Sequence, residues 1–361
     1  MPTPMESRSV RDPPGETNPD HCHPNARHDG TDPAAILLYY DWPAYRLTGV
    51  AMGKHTVAVT IRSFNLPDPV MADLLSRCRI IYSNTSGQRL SEETLAQALR
   101  GTEIAIAGTE PFTDRVIEAA DSLRIISRVG TGTDSIDLKA AERKGIRVFT
   151  TPHAPVQAVA EHTLALLLAV LKQIPQYNDA LHRGIAETRG VSLLGGKRVG
   201  IIGLGRIGTR VATMLESLGC RITYYDPFTK EPAGKTWQRR GTLTDLVAGV
   251  DILTVHAPAQ EEQRPLIDAT VLGSCKKGII IINSARGSLI SEDAMISALE
   301  NGTIAGAGLD VFPTEPYTGP LLSYPQVIAT PHVASHTLET RSLMEQEAVR
   351  QVIAALEGGG I

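Results

Sequence analysis

Lys197 to Asp226 reads KRVGIIGLGRIGTRVATMLESLGCRITYYD, and no other part of the chain limits the possible folds so much. A short apolar strand, Arg198 to Ile202, runs into Gly203, Gly205 and Gly208. A helix follows, and a second strand ends on Asp226. This is G-x-G-x-x-G between a strand and a helix. The first glycine permits a tight turn and the second lets backbone approach a pyrophosphate; the third lets helix pack on strand, with phosphates at the helix N-terminus. Arg206 and Ile207 complete the cofactor-facing turn. Asp226 lies 23 residues after Gly203, where a carboxylate accepts hydrogen bonds from a ribose. That choice favours NAD, because a 2′-phosphate would meet a negative charge and Pro227-Phe228-Thr229 offers no arginine in exchange. A Walker loop fails as the rival, since Gly190 to Lys197 puts Gly196 where its lysine belongs.

A length of 361 residues suits about two domains, and a net charge of −4 exerts no global pull on nucleic acid. The four cysteines, Cys22, Cys78, Cys220 and Cys275, are far apart and form no C-x-x-C pair, so they read as cytosolic free thiols. The longest apolar helix-like run, Leu164 to Leu171, is well short of the ~20 residues that span a bilayer. With no N-terminal signal sequence in view either, the expected location is cytoplasmic, away from membranes.

Residues 1–33 hold seven prolines and almost no large apolar side chains, a composition that predicts disorder. His21, Cys22, His23 and His28 there read as incidental ligands on a polar tail, so no metal is expected. The regular pattern begins only after Met52-Gly53-Lys54, which makes Met52 a candidate functional start. From His55 short β-branched runs alternate with amphipathic helices, the signature of a parallel sheet. Thr56 to Ile61, Arg79 to Ser83, Glu103 to Ala107, Arg124 to Arg128 and Ile146 to Thr150 form a first α/β unit. Its helix Ser91 to Arg100 opens on a serine cap and closes at Gly101. Ala158 to Leu171 is apolar on nearly every side and must be buried, inside one subunit or between two.

The second unit follows, with strands at Val199 to Ile202, Arg221 to Tyr225, Asp251 to Val255, Gly278 to Asn283, Ile304 to Asp310 and Val327 to Thr330. Four isoleucines in Gly278 to Asn283 mark a central strand covered on both faces. Leu338 to Leu356 reads as a terminal helix. The expected architecture is α/β: two Rossmann-like, doubly wound parallel-sheet domains with a cleft between them. The boundaries are a 1–52 extension, a discontinuous substrate domain of 53–153 plus 334–361, and a NAD-binding domain of 154–333.

Three polar residues fall just beyond strand ends of the second unit, where open α/β sheets bind ligands: Arg286, Glu315 and His332. Arginine holds a carboxylate with a planar fork and polarises the adjacent carbonyl. Histidine takes a hydroxyl proton in one direction and returns it in the other. A carboxylate beside it fixes the ring and favours its charged form. Singly, each has a structural explanation: a surface ion pair, a turn before Pro316, a cap near the last helix. Together at successive strand ends they are what reversible oxidation of a 2-hydroxy acid requires.

These motifs, in this order, resemble the D-isomer-specific 2-hydroxyacid dehydrogenase family over about residues 55–357. The resemblance implies that Arg286, the Glu315 of Asp310-Val311-Phe312-Pro313-Thr314-Glu315-Pro316, and the His332 of Thr330-Pro331-His332 are catalytic. It implies that Asn283, Ala285 and Asp310 lie near the nicotinamide, with His256 and Pro258 also on the cofactor. It implies further that backbone N–H groups of Gly130, Thr131 and Gly132 meet the carboxylate of a 2-hydroxy or 2-oxo acid. The helix around Leu164 resembles the element through which such enzymes form homodimers.

The chain departs from the family pattern in two places. His256-Ala257-Pro258-Ala259-Gln260 stands where H-x-P-x-T is usual, and no tryptophan precedes the glycine-rich strand in Gly184 to Gly196. The sequence also leaves no room after the last helix for the regulatory domain of some phosphoglycerate dehydrogenases. Gly108 to Phe112 and Ser83 to Gln88, expected to face the cleft, contain no Lys or Arg, which disfavours a phosphorylated substrate. A tyrosine-dependent short-chain dehydrogenase is excluded because none of the nine tyrosines is followed by lysine four residues later. A NAD(H)-sensing corepressor on the same fold is the alternative from a different class.

Overall fold

Alternating strands and helices build two all-parallel sheets in the computed structural model, which describes residues 53–358 apart from 63, 187, 189, 230, 231, 233, 260–263 and the side chain of 68. The expectations for 1–52, including the disordered tail, the histidine and cysteine group and the start at Met52, lie outside the described residues.

The first sheet is made by β1 (His55–Val59), α1 (Asp68–Arg77), β2 (Cys78–Ser83), α2 (Glu92–Ala98), β3 (Ile104–Ala107), α3 (Asp114–Ala119), β4 (Ile125–Arg128), α4 (Leu138–Arg143) and β5 (Arg147–Thr150). Its order is β2-β1-β3-β4-β5, so the winding reverses between β1 and β3. Helix starts are capped by local polar residues: Ser91, Thr113 and Asp137 each accept a hydrogen bond from the backbone N–H three residues on.

The second sheet follows from α5 (Val156–Lys172), α6 (Ile174–His182), β6 (Arg198–Ile202), α7 (Arg206–Ser217), β7 (Arg221–Tyr225), β8 (Gln238–Arg239), α8 (Leu243–Gly249), β9 (Ile252–Val255), α9 (Ala269–Gly273), β10 (Ile279–Asn283), α10 (Glu292–Glu300), β11 (Ile304–Leu309) and β12 (Val327–Ala329). Its order is β12-β11-β10-β9-β6-β7-β8, with the reversal between β6 and β9. The isoleucine strand β10 is central as expected, paired to β9 and β11. Two elements were not legible. Helix α6 has no buried residue and β8 is two polar residues long, so neither carries an apolar period.

Each sheet has a core on both faces. One face of the second sheet packs Leu246, Val250, Ile281 and Leu299 under α8 to α10; the other packs Val199, Ile201, Val211 and Leu215 against Leu166, Leu167 and Leu171 of α5. Helix α5 is therefore buried along one face inside the chain itself. The last helix, α11 (Leu338–Glu357), returns to the first sheet, where Met344, Val349 and Val352 meet Val57, Ile104 and Ile125. Ser127 on β4 also donates to the Ala348 carbonyl at 2.9 Å.

Leu167 is 1% exposed between α5 and the second sheet, and its truncation leaves a cavity that stiff strands cannot close. Leu167→Ala is expected to lower unfolding free energy by roughly 2–5 kcal/mol in urea denaturation. A loss below about 0.5 kcal/mol would contradict this packing.

Candidate active site

The chemistry-bearing residues gather beyond the C-terminal ends of the strands. After β6, Gly203 turns with φ +86°, and a Cβ there would lie 2.8 Å from the His256 carbonyl carbon. A Cβ on Gly208 would sit 2.0 Å from the Gly203 carbonyl oxygen, so only glycine lets α7 approach the loop this closely. Gly205 is the N-cap of α7; no side chain caps it, and a Cβ there would meet nothing within 4 Å. The Cβ direction at the head of α7 therefore opens onto free space, which leaves room for a pyrophosphate to approach the helix N-terminus. Arg206 is exposed on that first turn, and Ile207 is half-buried against the core.

Asp226 closes the nucleotide end. One carboxylate oxygen accepts from the Leu204 N–H at 2.7 Å, and the other accepts from Phe228 and Thr229 N–H, both at 2.8 Å. Burial pushes this carboxyl up, but the three backbone donors outweigh it and hold Asp226 below the usual carboxylate range. His256, at the end of β9, lies under the glycine loop with its Nε2 3.0 Å from Thr254 Oγ1. Burial pushes its imidazole down to about 3, so it is neutral. Pro258 is exposed two residues further on, and Gln260 lies outside the described residues.

Three strand spacings from β7, roughly 14 Å at 4.8 Å each, β10 ends in a self-closed loop. Asn283 Oδ1 accepts from the Ala285 N–H at 3.0 Å while its Nδ2 donates to the Arg286 carbonyl at 2.9 Å. That bracket presents Arg286. Its Nη1 donates to the Ala285 carbonyl at 2.7 Å, and its Nε and Nη2 lie 3.0 and 2.9 Å from one oxygen of Asp134. The edge facing Asp134 is thus filled. One N–H on each terminal nitrogen, the outer fork, has no partner among the described residues.

The Gly130 to Gly132 loop, after β4, is held between two guanidinium groups. A Cβ on Gly130, whose φ is +140°, would come 2.2 Å from Arg128 Nη1; one on Gly132 would come 1.9 Å from Arg286 Nη2. Of the three N–H groups expected on the substrate carboxylate, that of Gly130 is instead donated to Thr151 Oγ1 at 2.7 Å, and Thr131 is exposed between the glycines. Arg128 is mostly buried, which pushes its guanidinium down to about 10 against the opposing charge of Glu110. It remains a cation at neutral pH.

The last two strands supply the imidazole. Asp310, completely buried at the end of β11, accepts from Thr330 Oγ1 (2.5 Å) and from the backbone N–H groups of Val333 and Ala334 (2.9 Å each), with His162 Nε2 3.3 Å away. Burial pushes Asp310 up, but His162, Thr330 and the two N–H groups bring it below the usual range. His332 adopts φ +56°, donates its N–H to the Asp310 carbonyl at 2.8 Å, and sets Nδ1 2.8 Å from Glu315 Oε2. Its side chain is 47% exposed, and Glu315 engages Nδ1 rather than Nε2. The Arg286 loop abuts the Glu315 loop, for a Cβ on Gly287 would fall 2.0 Å from the Phe312 carbonyl carbon.

Residues 164–334 match the family model described as D-isomer specific 2-hydroxyacid dehydrogenase, NAD binding domain. The solved NADPH-dependent glyoxylate/hydroxypyruvate reductase of Sinorhizobium meliloti, in complex with NADP and malonate, is 31% identical, with 85% of this chain and 95% of that one covered at a TM-score of 0.75. The chain belongs to the D-isomer-specific 2-hydroxyacid dehydrogenase family. The D-3-phosphoglycerate dehydrogenase of Pongo abelii is 36% identical over 305 residues, covering 81% of this chain and 57% of that protein. That of Bacillus subtilis is 37% identical over 259 residues, covering 71% and 49%. The chain thus spans about half the length of the curated relatives it matches.

Sequence reasoning missed the partners of this family's site in the chain. Asp134 was visible inside the glycine-loop motif, but nothing local says that it meets Arg286, 152 residues away. Arg128 is close enough to Arg286 and Arg341 to feel their charge, and Arg341 and Arg62 act in the same way on His336. Ser83 to Gln88 and Gly108 to Phe112 lack cations as read, yet Arg89 follows directly on the first of them and β4 supplies Arg128.

The neutral His256 sets a pH dependence. Below about 6.5 the unfolded chain binds a proton there that the folded one refuses until about 3, so the stability is fully present above that window and drains as pH falls through it. One proton gives a slope of at most about 1.4 kcal/mol per pH unit. Urea denaturation at pH 7 and pH 5 is expected to show a loss that His256→Gln reduces. An equal loss in both proteins would show that His256 is protonated when folded.

Proposed function

We propose that the protein is a NAD(H)-dependent dehydrogenase interconverting a D-2-hydroxy acid and its 2-oxo acid. The observation that carries this is His332 held by Glu315 at the end of the sheet whose glycine loop would seat a dinucleotide, with the open fork of Arg286 on the adjoining loop. When bound, the nicotinamide supplies or accepts the hydride.

The chain's own residues do the rest. The outer N–H pair of Arg286 takes the substrate carboxylate, and the small residues Gly130 and Gly132 let backbone approach the same group. Glu315 on Nδ1 fixes the ring so that Nε2 holds the proton exchanged with the C2 oxygen. Asn283 and Ala285 shape the loop beside the nicotinamide, and Asp310 fixes the segment carrying His332. Gly203, Gly205 and Gly208 admit the pyrophosphate, and the Asp226 carboxylate favours the ribose of NAD over a 2′-phosphate. The far end of the acid meets Arg128, so acids with a second anionic group join the substrate panel.

Homodimer formation belongs to the same reading. On and beyond α6, Ile174, Leu181 and Leu193 are 55%, 67% and 71% exposed, an apolar surface that a second copy would cover. No single described helix is long and apolar enough to cross a membrane, and the described cysteines are unpaired, which suits the cytosol.

Steady-state oxidation of NADH with glyoxylate, hydroxypyruvate and a phosphorylated 2-oxo acid tests the activity. His332→Ala should lower kcat by roughly 10² to 10⁴, and Arg286→Lys should lower kcat/KM because a point charge does not reproduce the fork. Tight NADH binding without turnover of any acid would sink the dehydrogenase reading in favour of a sensor. In analytical ultracentrifugation, Leu181→Asp with Leu193→Asp is expected to convert a dimer to monomers with unchanged circular dichroism; a dimer that persists rules this surface out.

A further inference from the structure

Arg239 is a guanidinium whose own segment carries no signal that places it beside Asp226. In the ladder it pairs with Tyr224, two residues before Asp226. Two residues of strand rise are roughly 7 Å, about the reach of an extended arginine. The side chain runs up the strand and docks on the turn at the ribose end: Nη2 donates to the Asp226 carbonyl at 2.9 Å and approaches the Pro227 carbonyl at 3.4 Å. No carboxylate pairs with it among the described residues. Both contacts use Nη2, so Nε and Nη1 still have donors to offer. The Asp226 carboxylate, by contrast, accepts from the Phe228 and Thr229 N–H groups on Oδ1 and from Leu204 N–H on Oδ2, which leaves Oδ2 able to accept from a ribose hydroxyl, and it stays charged.

Resting on the reading of Asp226 as the ribose contact, we infer that Arg239 is a latent 2′-phosphate contact and that the Asp226 charge alone keeps NADP out. A guanidinium anchored through one nitrogen offers charge-assisted N–H groups to phosphate oxygens at little further entropic cost. The phosphate would lie between this cation and the carboxylate, and the carboxylate opposes it. Removing that charge leaves an arginine in the place where an arginine accommodates the 2′-phosphate of NADP.

Binding separates the two contributions without recourse to turnover. Dissociation constants for NADH and NADPH are measured by nicotinamide fluorescence on the full chain, for the wild type, Asp226→Ser, and Asp226→Ser with Arg239→Ala. The expected result is an NADPH affinity at least tenfold tighter in Asp226→Ser and lost again in the double variant, with NADH affinity weakened equally in both. Asp226→Asn, which keeps an acceptor for Phe228 and Thr229, should show the same gain and guards against a collapsed turn. A gain that survives Arg239→Ala overturns the role of Arg239, as does the absence of any gain in both Asp226 variants. NADH affinity unchanged in the Asp226 variants would instead remove Asp226 from the ribose, and the proposal with it.

Discussion

One buried carboxylate holds the imidazole end of the cleft in shape. Asp310 has no exposed surface, and a charge there would be costly without its hydrogen bonds. Thr330, Val333 and Ala334 satisfy it, all from the segment that follows β12, and His162 approaches from α5. The segment is thereby closed around Asp310, and His332 at its centre is held at φ +56°, a conformation that costs a non-glycine residue about 1 kcal/mol or more. That cost is borne by a network that over-determines the turn. The imidazole can then meet Glu315, which comes from the loop directly after Asp310 itself.

The opposite wall depends on the two sheets meeting. Asp134 comes from the loop after β4 of the first sheet and Arg286 from the loop after β10 of the second, so their ion pair ties one sheet's binding loop to the other. A side chain on Gly130 or Gly132 would push aside the guanidinium end of Arg128 or Arg286, and Gly130 also sits at φ +140°, where any other residue is strained. The same logic governs the nucleotide loop, where Gly203 and Gly208 are crowded by backbone and Gly205 is left open. Glycine serves twice for close approach and once for access.

Much of this was legible along the chain because the signals are local. Strand runs and cap residues such as Ser91 report their own neighbourhood, and the strand, glycine triplet and Asp226 sit within thirty consecutive residues. Arg286, Glu315 and His332 could be singled out since each falls just past a recognisable strand. The contacts that orient them were not legible. Asp134 to Arg286 and His162 to Asp310 join residues far apart, and no period or spacing encodes such pairings. Helix α6 and strand β8 escaped notice for a related reason: neither buries an apolar face against its own neighbours, and β8 exists only because β7 offers it an edge.

By itself, then, the sequence determined the alternation that yields two parallel sheets, the glycine turn with its acidic strand end, and the identities of three residues poised at strand ends. These follow from short-range rules of chain geometry and residue type. The tertiary structure alone decided which oxygen faces which nitrogen: the filled and open edges of Arg286, the ring orientation of His332, and the arrival of Arg128 and Arg239 beside sites that their own segments do not announce. The reason is physical. Charges and hydrogen bonds act over a few ångströms of space, and only the folded chain brings residues 13, 17 or 152 positions apart within that range.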